Sequence, residues 1–172
     1  IDEKLREREE RYRQLVELAP DAIVVHSAGK VVFVNPAAVR LMGAQSADEL
    51  LGKPALGFVH PDFRKMALER IQHSLATGTP VPLAEEKFVK LDGTDIDVDV
   101  ISQPITYDGE PAMQVIARDI TARKLAESEL RRLRMAVNDS SEAIFLTDRA
   151  GVMTFINPGF TRLYGYSAGE VV

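Results

Sequence analysis

The feature that most constrains this chain is a pattern that starts again before the chain is finished. Asp21-Ala22-Ile23-Val24-Val25 matches Glu142-Ala143-Ile144-Phe145-Leu146 at an offset of 121 residues, and Phe33-Val34-Asn35-Pro36 matches Phe155-Ile156-Asn157-Pro158 at an offset of 122. The extra residue falls in the intervening turn, Asp148-Arg149-Ala150-Gly151. Ser46-Ala47-Asp48-Glu49 and Ser167-Ala168-Gly169-Glu170 then match at 121 again. One Asn-Pro pair could recur by chance; a hairpin, a helix cap and a capping box in the same order define a repeated unit. A period of this length in 172 residues leaves room for one whole unit and the first part of another.

Within the first unit the residues specify the elements in turn. Asp2 to Leu18 is dense in charge, and Ile1, Leu5, Tyr12 and Leu15 fall on four- and three-residue spacings once Arg8 is passed over, the seam of a short coiled coil. Ala19-Pro20-Asp21 ends that helix. Ala22–His26 and Lys30–Val34 are rich in β-branched residues and flank Ser27-Ala28-Gly29, which predicts a hairpin. Asn35 is placed to cap a short helix with Pro36 at its first position. Ser46 and Glu49 predict a capping box on a second short helix. His60-Pro61-Asp62 opens the longest internal helix, about Phe63 to Thr77, with Met66, Ile71 and Leu75 on its expected buried face. Strands follow at Glu86–Leu91, Asp95–Ser102 and Ala112–Arg118, joined by the turn signals Asp92-Gly93 and Asp108-Gly109. Two strands, several helices and three strands give an α+β domain with its helices gathered on one face of an antiparallel sheet.

The expected organisation is an N-terminal amphipathic helix over 1–19, a complete domain over 20–121, a linker helix over 119–140 and the N-terminal part of a second domain over 141–172. In the linker, Ala126, Leu130, Leu133 and Val137 are spaced four, three and four. Asp119 or Thr121 can cap it.

Several chemistries are excluded or disfavoured. The chain has no cysteine, which removes disulfides, thiolate nucleophiles and cysteinyl cofactor adducts. Its three histidines are scattered, so no metal site is expected. Asp95-Ile96-Asp97-Val98-Asp99 departs from a calcium loop at its sixth position, Val100, and its twelfth, Thr106. No catalytic triad spacing or phosphate loop is present, so catalytic residues are expected to be absent. A net charge of −5, with basic residues set among acidic ones, argues against nucleic acid as a partner. No apolar run is long enough to cross a membrane, and no signal-peptide pattern opens the chain, which is expected to be a cytoplasmic fragment without membrane contact.

In Gly29–Asn35 with Pro36-Ala37-Ala38, His60-Pro61-Asp62, Lys90-Leu91-Asp92-Gly93-Thr94, Val98-Asp99-Val100 and Asp119-Ile120-Thr121 before Ala122-Arg123-Lys124, the chain resembles the PAS family of sensory domains. The resemblance covers residues 10 to 124 and, as an N-terminal half, 129 to 172. It implies a five-stranded antiparallel sheet in the order 2-1-5-4-3, with helices enclosing a pocket on one face. It also implies a sensory and dimerisation module whose effector, a histidine kinase or a diguanylate cyclase, lies elsewhere in the same polypeptide. Alternation then places Ile23, Val25, Val31, Phe33, Phe88, Val98, Val100 and Val115 on the sheet side of that pocket. Val39, Met42, Phe58, Met66 and Ile71 are expected opposite. A small apolar or aromatic molecule would suit this lining, and a filled core is the competing reading. No cofactor is expected: the missing cysteine excludes flavin adduct chemistry, and Ala67 stands where haem-binding relatives place their axial histidine. A haem- or flavin-loaded sensor and a ligand-free spacer in a PAS array are the alternatives. The relay to the effector is expected to run through Asp119, Ile120, Thr121, Ala126, Leu130, Leu133 and Val137, in a homodimer joined by its helical segments.

Overall fold

A computed structural model describes residues 2–172, which fall into two compact units divided after Thr121. Ile1, the first of the expected seam positions, lies outside the described residues.

The first unit begins with α1 (Asp2–Glu17), followed by β1 (Ala22–Ser27) and β2 (Lys30–Val34). Ala28 and Gly29 both take positive φ, 48° and 77°, and so turn the chain with the twist that the hairpin requires. Next come α2 (Pro36–Leu41), two 3-10 turns over Ala47–Glu49 and Ala55–Phe58, and α3 (Pro61–Thr77). Three strands, β3 (Val81–Val89), β4 (Asp95–Tyr107) and β5 (Glu110–Asp119), complete the unit. The sheet has the order β2-β1-β5-β4-β3, as the resemblance implies, and every pairing is antiparallel. The core lies between the sheet and α2, where Ala22, Ala38, Val98, Val100 and Ala117 are buried together.

Two local expectations are corrected. Ser46 and Glu49 form no capping box: Ser46 makes no side-chain cap bond and the segment is a single 3-10 turn, while the Glu49 carboxylate accepts the Gln45 N–H instead. The buried stripe of α3 is Ala67, Arg70, Ile71 and Ser74, whereas Met66 and Leu75 are 38% and 46% exposed. Helical spacing is satisfied either way, and only the identity of the facing surface decides between the two stripes.

The second unit contains α4 (Thr121–Asp139) from Ala122 onward, β6 (Phe145–Thr147), β7 (Met153–Ile156), α5 (Pro158–Tyr164) and α6 (Ala168–Val171). It reproduces the first unit down to an irregularity. Val25 pairs with Phe33 and His26 with Val31, leaving Val32 as an extra residue. Leu146 pairs with Phe155 and Thr147 with Met153, leaving Thr154 in the same place. Each is a β-bulge. Gly159 occupies the position of Ala37, and here only glycine fits, because a Cβ would run into the Glu142 carbonyl oxygen. The capping box does form in this copy, with the Glu170 carboxylate accepting the Ser167 N–H at 2.7 Å.

Candidate functional site

The bulge at Val32 decides what the first unit can hold. Side chains alternate across a strand, so one extra residue turns everything beyond it to the other face. Val31 and Val34 therefore both face the helices, together with Val24 and His26 of β1, and line a cavity of about 90 Å³. Of the thirteen residues expected there, the structure brings together Val31, Met42, Phe58, Ile71, Phe88, Val100 and Val115.

The other six are corrected. Ile23, Val25 and Phe33 face the opposite side of the sheet and wall a groove beside α1, with Tyr12, Val16 and Tyr107. Val98 is fully buried in the core beneath α2, and Val39 is half-buried without reaching the cavity. Met66 points away on the exposed side of α3.

The cavity also has polar groups that sequence reasoning missed. Glu86 is 6% exposed and bonds Arg70 at 2.9 Å, and the Arg70 guanidinium also donates to the Pro82 carbonyl. Burial pushes the Glu86 carboxyl up, against the smaller lowering pull of the Arg70 charge. His26 is 6% exposed and Ser102 8%, and neither side chain has a hydrogen-bond partner among the described residues. Burial pulls the His26 imidazole down, toward the neutral ring. Even residues of β1 face inward, so His26 could have been placed from the parity of Ala22 and Val24. Ala67 reaches the cavity and His73 is exposed. His60 caps α3, accepting the Asp62 N–H on Nδ1 at 3.3 Å.

The chain enters and leaves the sheet at one place. Ala22 at the start of β1 pairs with Ala117 near the end of β5. Beside this pair, the Asp21 carboxylate takes two hydrogen bonds from Arg118, at 3.0 and 2.8 Å, which hold its pKa below the usual carboxylate range. Asp119 accepts the Thr121 N–H at 2.8 Å as α4 begins. Ile120 is buried, with its N–H on the Asp97 carbonyl at 3.1 Å. Along α4, Ala126, Leu130 and Leu133 are exposed and Val137 is half-buried.

Asn35 lies at the same end of the sheet. It is 1% exposed and satisfies all four of its hydrogen-bonding positions. Oδ1 accepts the N–H groups of Ala38 and Ile23, both at 2.9 Å, and Nδ2 donates to the carbonyls of Asp21 at 3.0 Å and Val16 at 3.1 Å. The cap was readable from Asn-Pro; the three further bonds involve distant backbone groups and were not.

A match to the PAS fold spans residues 10–120, and a second match, to a PAS domain, spans 131–172. The chain belongs to the PAS family, the sensory domains of signal-transduction proteins. It is 30% identical over 123 residues to Sporulation kinase A of Bacillus subtilis (strain 168), covering 72% of this chain and 20% of that protein. It is 29% identical over 147 residues to the C4-dicarboxylate transport sensor protein DctS of Rhodobacter capsulatus, covering 83% of this chain and 22% of that one. The chain thus spans about a fifth of the length of these curated relatives. Among solved structures, the PAS domain of an HTR-like protein from Haloarcula marismortui superposes with a TM-score of 0.57 at 24% identity, over 69% of this chain and 97% of that domain. Among the described residues no helix is long and apolar enough to cross a membrane, and no cluster of candidate metal ligands occurs.

Proposed function

We propose that this chain is the sensory and dimerisation portion of a larger cytoplasmic signalling protein, passing the state of its first PAS unit along α4 to an effector in the same polypeptide. The observation that carries this reading is the junction at the sheet's end: β5 runs through Asp119 directly into the capped start of α4, so any displacement of β5 is delivered to the helix. Val115 of the same strand lines the cavity. The effector is expected to be a kinase or a cyclase, and the relative named as a kinase supports the former.

The exposed stripe of α4 is the proposed dimer seam. Because the chain has no cysteine, single substitutions report on it cleanly. Leu130→Cys and Leu133→Cys are expected to form disulfide-linked dimers rapidly under mild oxidation, while Ser128→Cys and Arg131→Cys, on other faces of the helix, react slowly. Equal rates at all four positions would remove the seam.

For a ligand, the cavity favours a compact molecule with an apolar body and a hydrogen-bonding group for His26 or Ser102. At about 90 Å³ it is well below the roughly 300 to 1,000 Å³ of sites for drug-sized ligands. Haem and flavin are accordingly not proposed. Freshly purified protein is expected to be colourless; a Soret band or flavin spectrum scaling with protein concentration would overturn this.

A further inference from the structure

Asn157 repeats the arrangement of Asn35 bond for bond. It is 1% exposed; its Oδ1 accepts the N–H groups of Ile144 at 2.8 Å and Phe160 at 2.9 Å, and its Nδ2 donates to the carbonyls of Glu142 at 3.0 Å and Val137 at 2.9 Å. In each unit the carboxamide divides its work in the same way. The oxygen holds a strand and a helix of the unit's own fold. The NH2 group spans the approach to the unit: one hydrogen goes to the last turn of the preceding helix, Val16 of α1 or Val137 of α4, and the other to the segment leading into the first strand, at Asp21 or Glu142.

Helix C-terminal carbonyls lack intrahelical partners and must find others. Aspartate would serve equally well as a helix N-cap, and it has no donor when ionised. A requirement for both acceptance and donation explains asparagine at both positions, which a cap alone does not. We infer that Asn35 and Asn157 are positioning residues that fasten each incoming helix to its PAS unit, through donor bonds separable from those that build the unit. In the first unit, Val34 lines the cavity and immediately precedes Asn35, and Met42, at the end of α2, lines it too. A change in what the cavity holds therefore reaches the amide, and through it the helix, within one residue. The inference draws its purpose from the proposed relay, yet its test needs no effector and no dimer, so failure of one leaves the other standing.

The test is Asn35→Asp in the 172-residue chain, followed by residue-resolved amide hydrogen exchange at pH 7. Ionised aspartate keeps the two acceptor bonds to Ile23 and Ala38 and presents oxygen to the Val16 and Asp21 carbonyls in place of donors. Expected is exchange at least about tenfold faster at Leu18 and Ala19, whose N–H groups close the end of α1, with β5 amides changed by less than about threefold. Unchanged exchange at Leu18 and Ala19, or equal acceleration in α1 and β5, would overturn the inference. The unmutated chain supplies a second reading that does not depend on the variant folding. Its Asn35 Nδ2 protons should become unprotected with the opening that exposes Leu18; protection that follows the β5 amides instead would equally overturn it.

Discussion

Asn35→Ala is expected to lower the stability of the first unit by about 3 kcal/mol, three times what loss of an ordinary helix cap costs. The difference comes from what is left behind. A cap substitution removes one bond at a solvated helix end, whereas here the N–H groups of Ile23 and Ala38 and the carbonyls of Val16 and Asp21 each lose a bond at a position 1% exposed, and only Ala38 and Val16 keep a second one, to the residue 35 carbonyl and the Ala19 N–H. Buried polar groups without partners cost roughly 1 to 3 kcal/mol each, and local relaxation admits water to some of them, which sets the estimate below the sum. Urea denaturation of the first unit measures it. A loss near 1 kcal/mol would reduce Asn35 to a cap and make its three other bonds incidental.

Arg70→Ala is expected to cost about 2 to 3 kcal/mol at neutral pH, because it leaves the Glu86 carboxylate buried without its counter-charge. The partial exposure of the Arg70 side chain, 20%, keeps the figure below that of a fully buried pair. The pH dependence follows from the direction of the Glu86 shift. Its folded pKa is raised above its ordinary value near 4.5, so its favourable contribution is present below that value and is lost as the pH climbs through the folded pKa. Removing Arg70 raises the folded pKa further. The deficit of the variant should therefore be largest at pH 7 and shrink on acidification toward pH 5, and Glu86→Gln should recover part of it in the double variant. Denaturation midpoints of the four proteins at both pH values check this; a deficit that grows on acidification would show that Arg70 acts by packing alone.

The sequence made the repeat, the sheet order and the hairpin turns readable because each is written in local signals or in residues shared with a family. Gly29 and Asp108-Gly109 take the positive φ values their composition suggests, and Ala28 takes one as well. What it did not make readable was facing. The bulge at Val32 is a valine among valines, with no glycine or proline to mark it, yet it puts Val31 in the cavity and Phe33 on the other face, beside its cross-strand partner Val25 and Ile23. The inner stripe of α3 reads Ala67, Arg70, Ile71 and Ser74 because Arg70 has Glu86 opposite it and Ser74 bonds the Thr79 carbonyl. Hydrophobicity favours Met66 and Leu75 at those positions, and the partners that reverse the choice lie outside the helix, on β3 and in the turn that precedes it. The same holds for Asn35, whose cap was visible and whose hold on Val16 was not.

The central claim is that α4 carries the signal by its rotational setting, and a series of insertions after Arg123 tests it most directly. One added residue turns everything beyond it by about 100°, and seven restore the original face. In the intact polypeptide, effector activity is predicted to lock or vanish with one inserted alanine and to recover its regulation with seven. A smooth, monotonic change across insertions of one to seven residues, without recovery at seven, would mean that α4 is a tether and would contradict the account.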